Sequence, residues 1–295
     1  MDILWLGQPA CHDRTLVGGK AAHLSLLAAD YRVPPGFCLT AALDAWEQAT
    51  SHQAEQIDPR RGLPVETYDK LQRAYREMAT RFGVAEPRVA VRSSAIDEDG
   101  ANSSFAGLHE TFLNVVGVEA VARAVVGCWR SARSERALAY RRQQGLPAEG
   151  VRVAVLVQEM VTADCSAVVF SANPVTGSPE EIVINANWGL GESIVGGTVT
   201  PDMYTLRKRD LAVLDSKIGG KERMTIPGPE GTREVDTPRA LRMGAALNQS
   251  QVVGIAGLAR DLEQWMGRPV DVECAYQGDA LYLLQCRAIT GLTLM

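Results

Sequence analysis

Residues 270–290 read VDVECAYQGDALYLLQCRAIT, two runs of alternating apolar and polar residues around a Gly278-Asp279 turn signal. The pattern predicts a β-hairpin. Asp271 and Glu273 are two residues apart on the first run, Gln285 and Arg287 two apart on the second, and side chains so spaced share one face of a strand. Register decides whether the four meet. A three-residue loop of Gly278, Asp279 and Ala280 sets Glu273 opposite Gln285 and Asp271 opposite Arg287. A two-residue Gly278-Asp279 turn sets Val272 opposite Gln285 and splits the group, unless a bulge restores it. Together, carboxylate, amide oxygen and guanidinium suit a magnesium-bound polyphosphate: Mg²⁺ takes hard oxygen ligands, and arginine grips phosphate through its planar fork. The plainer alternative is an edge hairpin with a solvated Asp/Arg pair.

The 295 residues suffice for a large core, in one big domain or two small ones. A formal net charge of −5 gives no global basic field, which argues against nucleic acid or an anionic membrane as the main partner. A polyanion site must then be a local cluster of Arg or Lys. No run approaches the roughly 18 to 20 apolar residues of a membrane span, and the N-terminal MDILWLGQPACHD lacks a basic stretch followed by a long apolar one. The expectation is a cytoplasmic protein. The six cysteines (11, 38, 128, 165, 274, 286) form no CxxC pair, so neither a zinc site nor a disulfide framework is suggested. Cys274 and Cys286 are expected to pack as small buried apolar residues.

In LVGGKAAHLSLLAAD, a Gly-Gly turn precedes an apolar run at helical spacing, which puts Lys20 at a helix start, where the dipole already favours anions. The GxxxxGK[ST] pattern is absent, so this is no P-loop. RVPPGFCLT predicts a turn into a short strand; residues 41–50 and 64–82 read as amphipathic helices. From residue 89, VAVRSSAIDEDGANSSFAGLHETFLNVVG reads as a strand at 89–91, a long polar loop from Arg92, and a second strand at 111–116. Ser103 and Ser104 offer hydroxyl and backbone donors there, and Gly107 permits close backbone approach to a ligand. A loop of that length in a compact domain is more often a binding element than filler.

Residues 118–143 read as one long helix, and VRVAVLVQEMV (151–161) as a buried strand. Its end, Gln158, Glu159, Met160 and Val161, would offer backbone groups to the edge of a purine, with Met160 as a soft wall. SAVVFSANP and EIVINANW are further strands. WGLGESIVGGTVTPD, with Gly189 and Gly191 ahead of Glu192, suggests a loop whose backbone approaches a ligand. Residues 203–219 resemble a hairpin, 220–236 a mobile loop, and 238–265 a helix leading to the terminal hairpin.

Taken together, GGK, VRSS, SSFAG, QEMV, GLGE and VECAYQGDALYLLQCR stand in the order found in the nucleotide-binding domain of pyruvate phosphate dikinase and phosphoenolpyruvate synthase. The chain also resembles the corresponding domain of rifampin phosphotransferases. The resemblance runs from about Gly18 to Thr290. It implies an α+β, ATP-grasp fold whose two lobes close on ATP: one ATP-binding domain over 1–295, with lobes near 1–88, 89–160 and 161–295. It implies that Lys20 and Arg92 hold the ATP phosphates, that Glu273 and Gln285 carry Mg²⁺, and that Arg287 contacts the transferred phosphate. Asp271 belongs with the nucleotide-binding set. Gln158 to Val161 match the segment bordering adenine, and Ser103 to Gly107 with Gly189 to Glu192 match loops over the nucleotide. Leu108 stands where a polar residue such as Gln is expected.

Relatives carry the phosphoryl group on a histidine of a separate swivelling domain. None of the four histidines here, in CHDR, AHLS, SHQA and LHET, has the Gly-rich Ser/Thr-His context of that carrier. The expectation is a fragment of a longer enzyme or a stand-alone module that passes phosphate from ATP to a histidine on a partner, leaving AMP and phosphate. Alternatives are a kinase or ligase acting directly on a small-molecule acceptor, such as a natural product or antibiotic, and a non-catalytic ATP-binding scaffold.

Overall fold

A computed structural model of the chain describes residues 1–41, 62–96, 110–147 and 150–289. It is a mixed helix and sheet protein that divides into two compact units, one of residues 1–30 and 34–160, the other of residues 31–33 and 161–295.

In the first unit, β1 (Ile3–Trp5), α1 (Arg14–Leu27), β2 (Gly36–Leu39), α2 (Val65–Phe82), β3 (Val89–Ala95), β4 (Thr111–Val115), α3 (Val118–Ala132), α4 (Glu135–Gln143) and β5 (Val153–Glu159) follow in chain order. The strands form one sheet in the order β1-β2-β5-β3-β4, with every pairing antiparallel. β5 is central, and its residues VAVLVQ are all buried, which is why it reads as a continuous apolar run. Helix α2 forms as expected, its buried Tyr68, Leu71, Tyr75 and Met78 recurring every three or four residues, and it stops at Gly83, whose φ of 67° is left-handed. Those side chains join Phe37, Trp129, Val155 and Val157 in one core. Trp129 is fully buried and donates its indole N–H to Val153 O at 3.3 Å, so truncation to alanine would cost about 3–5 kcal/mol.

Two expectations change in this unit. The segment 118–143 is two helices: Ser134 adopts an extended conformation and its hydroxyl accepts from Ala137 N–H, capping α4. A serine that can cap competes with helix continuation there. β3 also runs on through Ala95, so Arg92, Ser93 and Ser94 are strand residues and not the start of a loop; they pair with Leu156, Val155 and Ala154 of β5.

In the second unit, β6 (Cys165–Phe170), β7 (Glu181–Trp188), α5 (Glu192–Val195), β8 (Asp202–Arg207), β9 (Val213–Lys217), β10 (Arg223–Pro227), β11 (Thr232–Asp236), α6 (Arg239–Arg242), α7 (Gln249–Met266), β12 (Val270–Gln277) and β13 (Ala280–Ala288) follow. Six strands form an antiparallel sheet, β13-β12-β6-β7-β8-β9, and β10 and β11 pair separately. Helix α7 buries Val252, Ile255, Ala259 and Leu262 against one face, where Tyr276 Oη donates to Gln251 O. Val272, Cys274 and Tyr276 alternate with Asp271, Glu273 and Ala275 on β12, so the acidic residues stand on the opposite face.

Residues 220–236, expected as a mobile loop, contain the β10–β11 hairpin, because Pro229 and its flanking glycines make a turn between two alternating runs. Nor is 238–265 a single helix. A short α6 is followed by an irregular stretch, and Asn248 then starts α7 with a reciprocal capping box to Gln251. The expected helix at 41–50 lies outside the described residues apart from its first residue.

Candidate functional site

The terminal hairpin takes the second of the two registers, the two-residue turn with a bulge. Gln277 pairs with Ala280, so the turn is the two-residue Gly278-Asp279 form, with Gly278 at φ 57°. Left alone, that turn would separate the polar residues. Between Cys274, opposite Leu283, and Glu273, opposite Gln285, the ladder skips Leu284. This bulge returns Asp271 to Arg287 and Glu273 to Gln285, so both pairs share the face away from α7. Directly opposed side chains have Cβ atoms about 5 Å apart.

Asp271 is 7% exposed, and Arg287 donates to its Oδ2 from Nε at 2.8 Å and from Nη2. The other carboxylate oxygen, Oδ1, is buried without a hydrogen-bond partner among the described residues. Burial pushes the Asp271 carboxyl above the usual range, Arg287 pulls it down, and Glu273 adds to the rise. Gln285 is buried and Glu273 half-buried. Among the described residues no cluster of three or more His, Cys, Asp or Glu could hold a metal ion. The donor set nevertheless fits Mg²⁺, which commonly takes one or two protein oxygens and completes its shell with phosphate oxygens and water. Glu273 and Gln285 offer such a pair across the ladder.

The glycine-rich turn reaches the same sheet face. Ser166, opposite Ala275, shares the face of Glu273, and the Cβ position of Gly191 lies 3.5 Å from Ser166 Cβ. Ser166 Oγ donates to Gly189 O at 2.7 Å. Gly189 has φ 72°, and a Cβ there would stand 2.3 Å from Thr225 O. The close approach expected toward a ligand is thus, at Gly189, an approach to β10. Glu192 opens α5 with Oε2 buried and, among the described residues, without a hydrogen-bond partner.

In the first unit, Gly18 breaks α1 with φ 76° and ψ 169°, and the helix restarts under Lys20, the expected position. Ser94 Oγ accepts from Ala21 N–H at 3.2 Å, and Lys20 Nζ donates to Ser93 O at 3.4 Å. Arg92 shares a face of β3 with Ser94, so GGK and VRSS meet. At the end of β5 the side chain of Gln158 is committed to the fold, donating Nε2–H to Pro34 O at 2.8 Å. The N–H groups of Glu159 and Met160 likewise donate to Pro35 O and Arg88 O, at 2.9 and 3.0 Å. Those two amide donors, expected to face a purine, are taken by the fold. Burial raises the Glu159 carboxyl, and Val161 is buried at the start of the second unit's long segment. Ser103, Ser104 and Gly107, with Leu108, lie outside the described residues.

Sequence reading missed the buried pair Lys221 and Asp202, neither side chain exposed. Lys221 Nζ also donates to Gly219 O at 2.9 Å, while Asp202 accepts from Gly219 N–H at 2.9 Å and Ala246 N–H at 2.7 Å. GGKE looks like a solvated turn, and no local pattern marks its lysine as buried. Asn187, equally unremarked, is fully buried and donates to Ser193 Oγ at 2.9 Å and Arg223 O at 3.1 Å, tying α5 to β10.

The first unit thus carries a lysine at a helix restart and an arginine on a strand, and the second a carboxylate, amide and arginine constellation on one sheet face. Residues 43–293 match the family model described as pyruvate phosphate dikinase, AMP/ATP-binding domain, and the chain belongs to that family. The probable phosphoenolpyruvate synthase of Pyrococcus abyssi is 34% identical, over 98% of this chain and 44% of its own length. The phosphoenolpyruvate synthase of Pyrococcus furiosus gives the same values, and the probable enzyme of Archaeoglobus fulgidus is 36% identical over 98% of this chain and 42% of its own. The chain thus spans less than half the length of these relatives. The D-alanyl-alanine synthetase A of Vibrio cholerae covers 92% of this chain and 55% of its own at 13% identity, with a TM-score of 0.35, too low to speak for a shared fold. No helix among the described residues is long and apolar enough to cross a membrane.

Proposed function

We propose that this chain is an ATP- and Mg²⁺-dependent phosphotransferase module of ATP-grasp type, which passes a phosphoryl group from ATP to a histidine on another domain or protein. The observation that carries the reading is the bulged hairpin, which sets Glu273 against Gln285 and Asp271 against Arg287 on one sheet face. Family membership supports the nucleotide, and the names of the relatives support the class of chemistry.

In this reading Lys20 and Arg92 neutralise the ATP phosphates, Arg287 contacts the phosphate that moves, and Asp271 belongs to the same set. Glu273 and Gln285 hold Mg²⁺, which when bound offsets charge on the phosphates. Ser103, Ser104 and Gly107, with Gly189, Gly191 and Glu192, lie over the nucleotide, and Gln158, Glu159, Met160 and Val161 border adenine. The protein's work is positioning and charge neutralisation, since phosphoryl transfer asks little covalent chemistry of it. Closure of two lobes keeps water from intercepting the phosphoryl group.

The test is product analysis of the purified chain with ATP and Mg²⁺, alone and with a histidine-carrier domain from a phosphoenolpyruvate synthase. AMP, inorganic phosphate and a phosphorylated carrier, formed only when the carrier is present, are expected: of the two phosphoryl groups that ATP loses, one goes to the histidine and the other to water. Turnover driven by a small acceptor without any carrier would replace this reading with that of a self-sufficient kinase, and failure to bind ATP at all would end it.

A further inference from the structure

We propose that Asp271 is a positioning residue that touches neither nucleotide nor cation and instead fixes the guanidinium of Arg287. The inference rests on Arg287 as a phosphate-contacting group and narrows the part played by Asp271 within that set.

The geometry has three components. First, Asp271 and Arg287 are direct partners across the ladder, and one carboxylate oxygen, Oδ2, receives both Nε–H and Nη2–H. Two donors from a single planar group fix its orientation as well as its position. The Nη1 corner of the guanidinium takes no part in that contact. Second, exposure rises along the pair: the side chain of Asp271 is 9% exposed and that of Arg287 is 24%. The arginine is the more accessible member of the pair. Third, the remaining oxygen, Oδ1, is sealed from solvent and has no hydrogen-bond partner among the described residues. A carboxylate meant to ligate a cation would present an accessible oxygen. This one spends its accessible bonding capacity on Arg287.

An arginine side chain gives up substantial rotamer freedom when it is ordered, and a partner that orders it beforehand leaves less to lose when phosphate binds. Asp271 therefore acts on phosphate through Arg287, and its effect must vanish when Arg287 is absent. That dependence separates positioning from direct ligation.

The experiment is a double-mutant cycle on the full chain, with Asp271→Asn, Arg287→Gln and the double variant, titrated with MgATP and with AMP free of metal. Asp271→Asn is expected to weaken MgATP about tenfold in the native background, to leave AMP within about twofold, and to add nothing beside Arg287→Gln. Asp271→Glu, which keeps the carboxylate, is expected to recover part of the loss. An Asp271→Asn loss of equal size in the Arg287→Gln background would overturn the proposal in favour of direct ligation, and an unchanged MgATP affinity would overturn it outright. A second readout needs no nucleotide: the Arg287 Nε–H resonance is expected to exchange slowly in the native chain and fast in Asp271→Asn. If the native chain binds no MgATP, the reading of the site fails, and this resonance still decides whether Asp271 holds the guanidinium.

Discussion

Gly18 and Ser94 approach so closely that a Cβ on the glycine would stand 2.3 Å from the serine's carbonyl oxygen and 2.4 Å from its hydroxyl. With φ at 76°, the position is closed to other residues both by space and by backbone conformation. Gly18→Ala is expected to lower stability by about 1–3 kcal/mol and to weaken MgATP binding, because Lys20 stands on the helical turn that this contact anchors. Urea unfolding and nucleotide titration check both; native behaviour in both would show that the contact is dispensable.

Lys221 and Asp202 form a fully buried ion pair within the second unit. Removing one partner strands a charge, so Lys221→Met is expected to cost about 3–5 kcal/mol. Replacing both with apolar residues of similar size is expected to cost less than the single change, although Asp202 also holds the N–H groups of Gly219 and Ala246. Denaturation midpoints of the single and double variants measure this, and a loss below about 1 kcal/mol for Lys221→Met would mean that the pair contributes little.

Leu284 is the residue the ladder skips. Deleting it leaves Gln285 next after Leu283 and so still opposite Glu273, and Mg²⁺-dependent ATP binding is expected to survive. Inserting one glycine after Leu284 instead moves Gln285 and Arg287 to the α7 face and is expected to abolish that binding. If insertion and deletion behave alike, register does not control the site.

Glu273→Ala is expected to reduce Mg²⁺-dependent turnover by orders of magnitude while the fold is retained. Circular dichroism and product analysis together check it. Turnover equal to the native chain would remove Glu273 from the metal-binding pair.

All six cysteines are buried thiols outside any disulfide. Burial raises the Cys165 thiol to about 11 and the Cys128 thiol to about 12, and pushes Cys274 up as well. The thiolate is the reactive form, so at pH 8 these three groups are overwhelmingly protonated in the folded chain. Labelling with a disulfide reagent at pH 8 is expected to be negligible until denaturant is added, and rapid modification of the folded chain would contradict the burial.

Much of this was legible in the sequence because local chemistry was consistent. The alternation in VDVECAYQ, the helical spacing of 65–82 and the apolar run before Gln158 each specify one element. The bulge at Leu284 was legible only as a condition, since a leucine does not announce that it will be skipped. Ser134 ended a helix whose apolar periodicity continued past it, and the prolines and glycines of 227–231 concealed two strands by suggesting only a mobile loop. At the site, GGK and VRSS were found separately, while their meeting through Ser94 is a tertiary fact with no local signature. The burial of Lys221 is of the same kind.

Residues 31–33 belong to the second unit although the chain on both sides belongs to the first. Leu283 N–H donates to Arg32 O at 3.0 Å, and the Arg32 guanidinium lies 5.5 Å over the Tyr282 ring. A gene fragment starting at Val161 would therefore encode a hairpin stripped of a neighbour supplied from more than a hundred residues upstream. Dissection of this protein into autonomously folding halves needs a graft or a permuted chain, because no single cut yields two self-sufficient pieces.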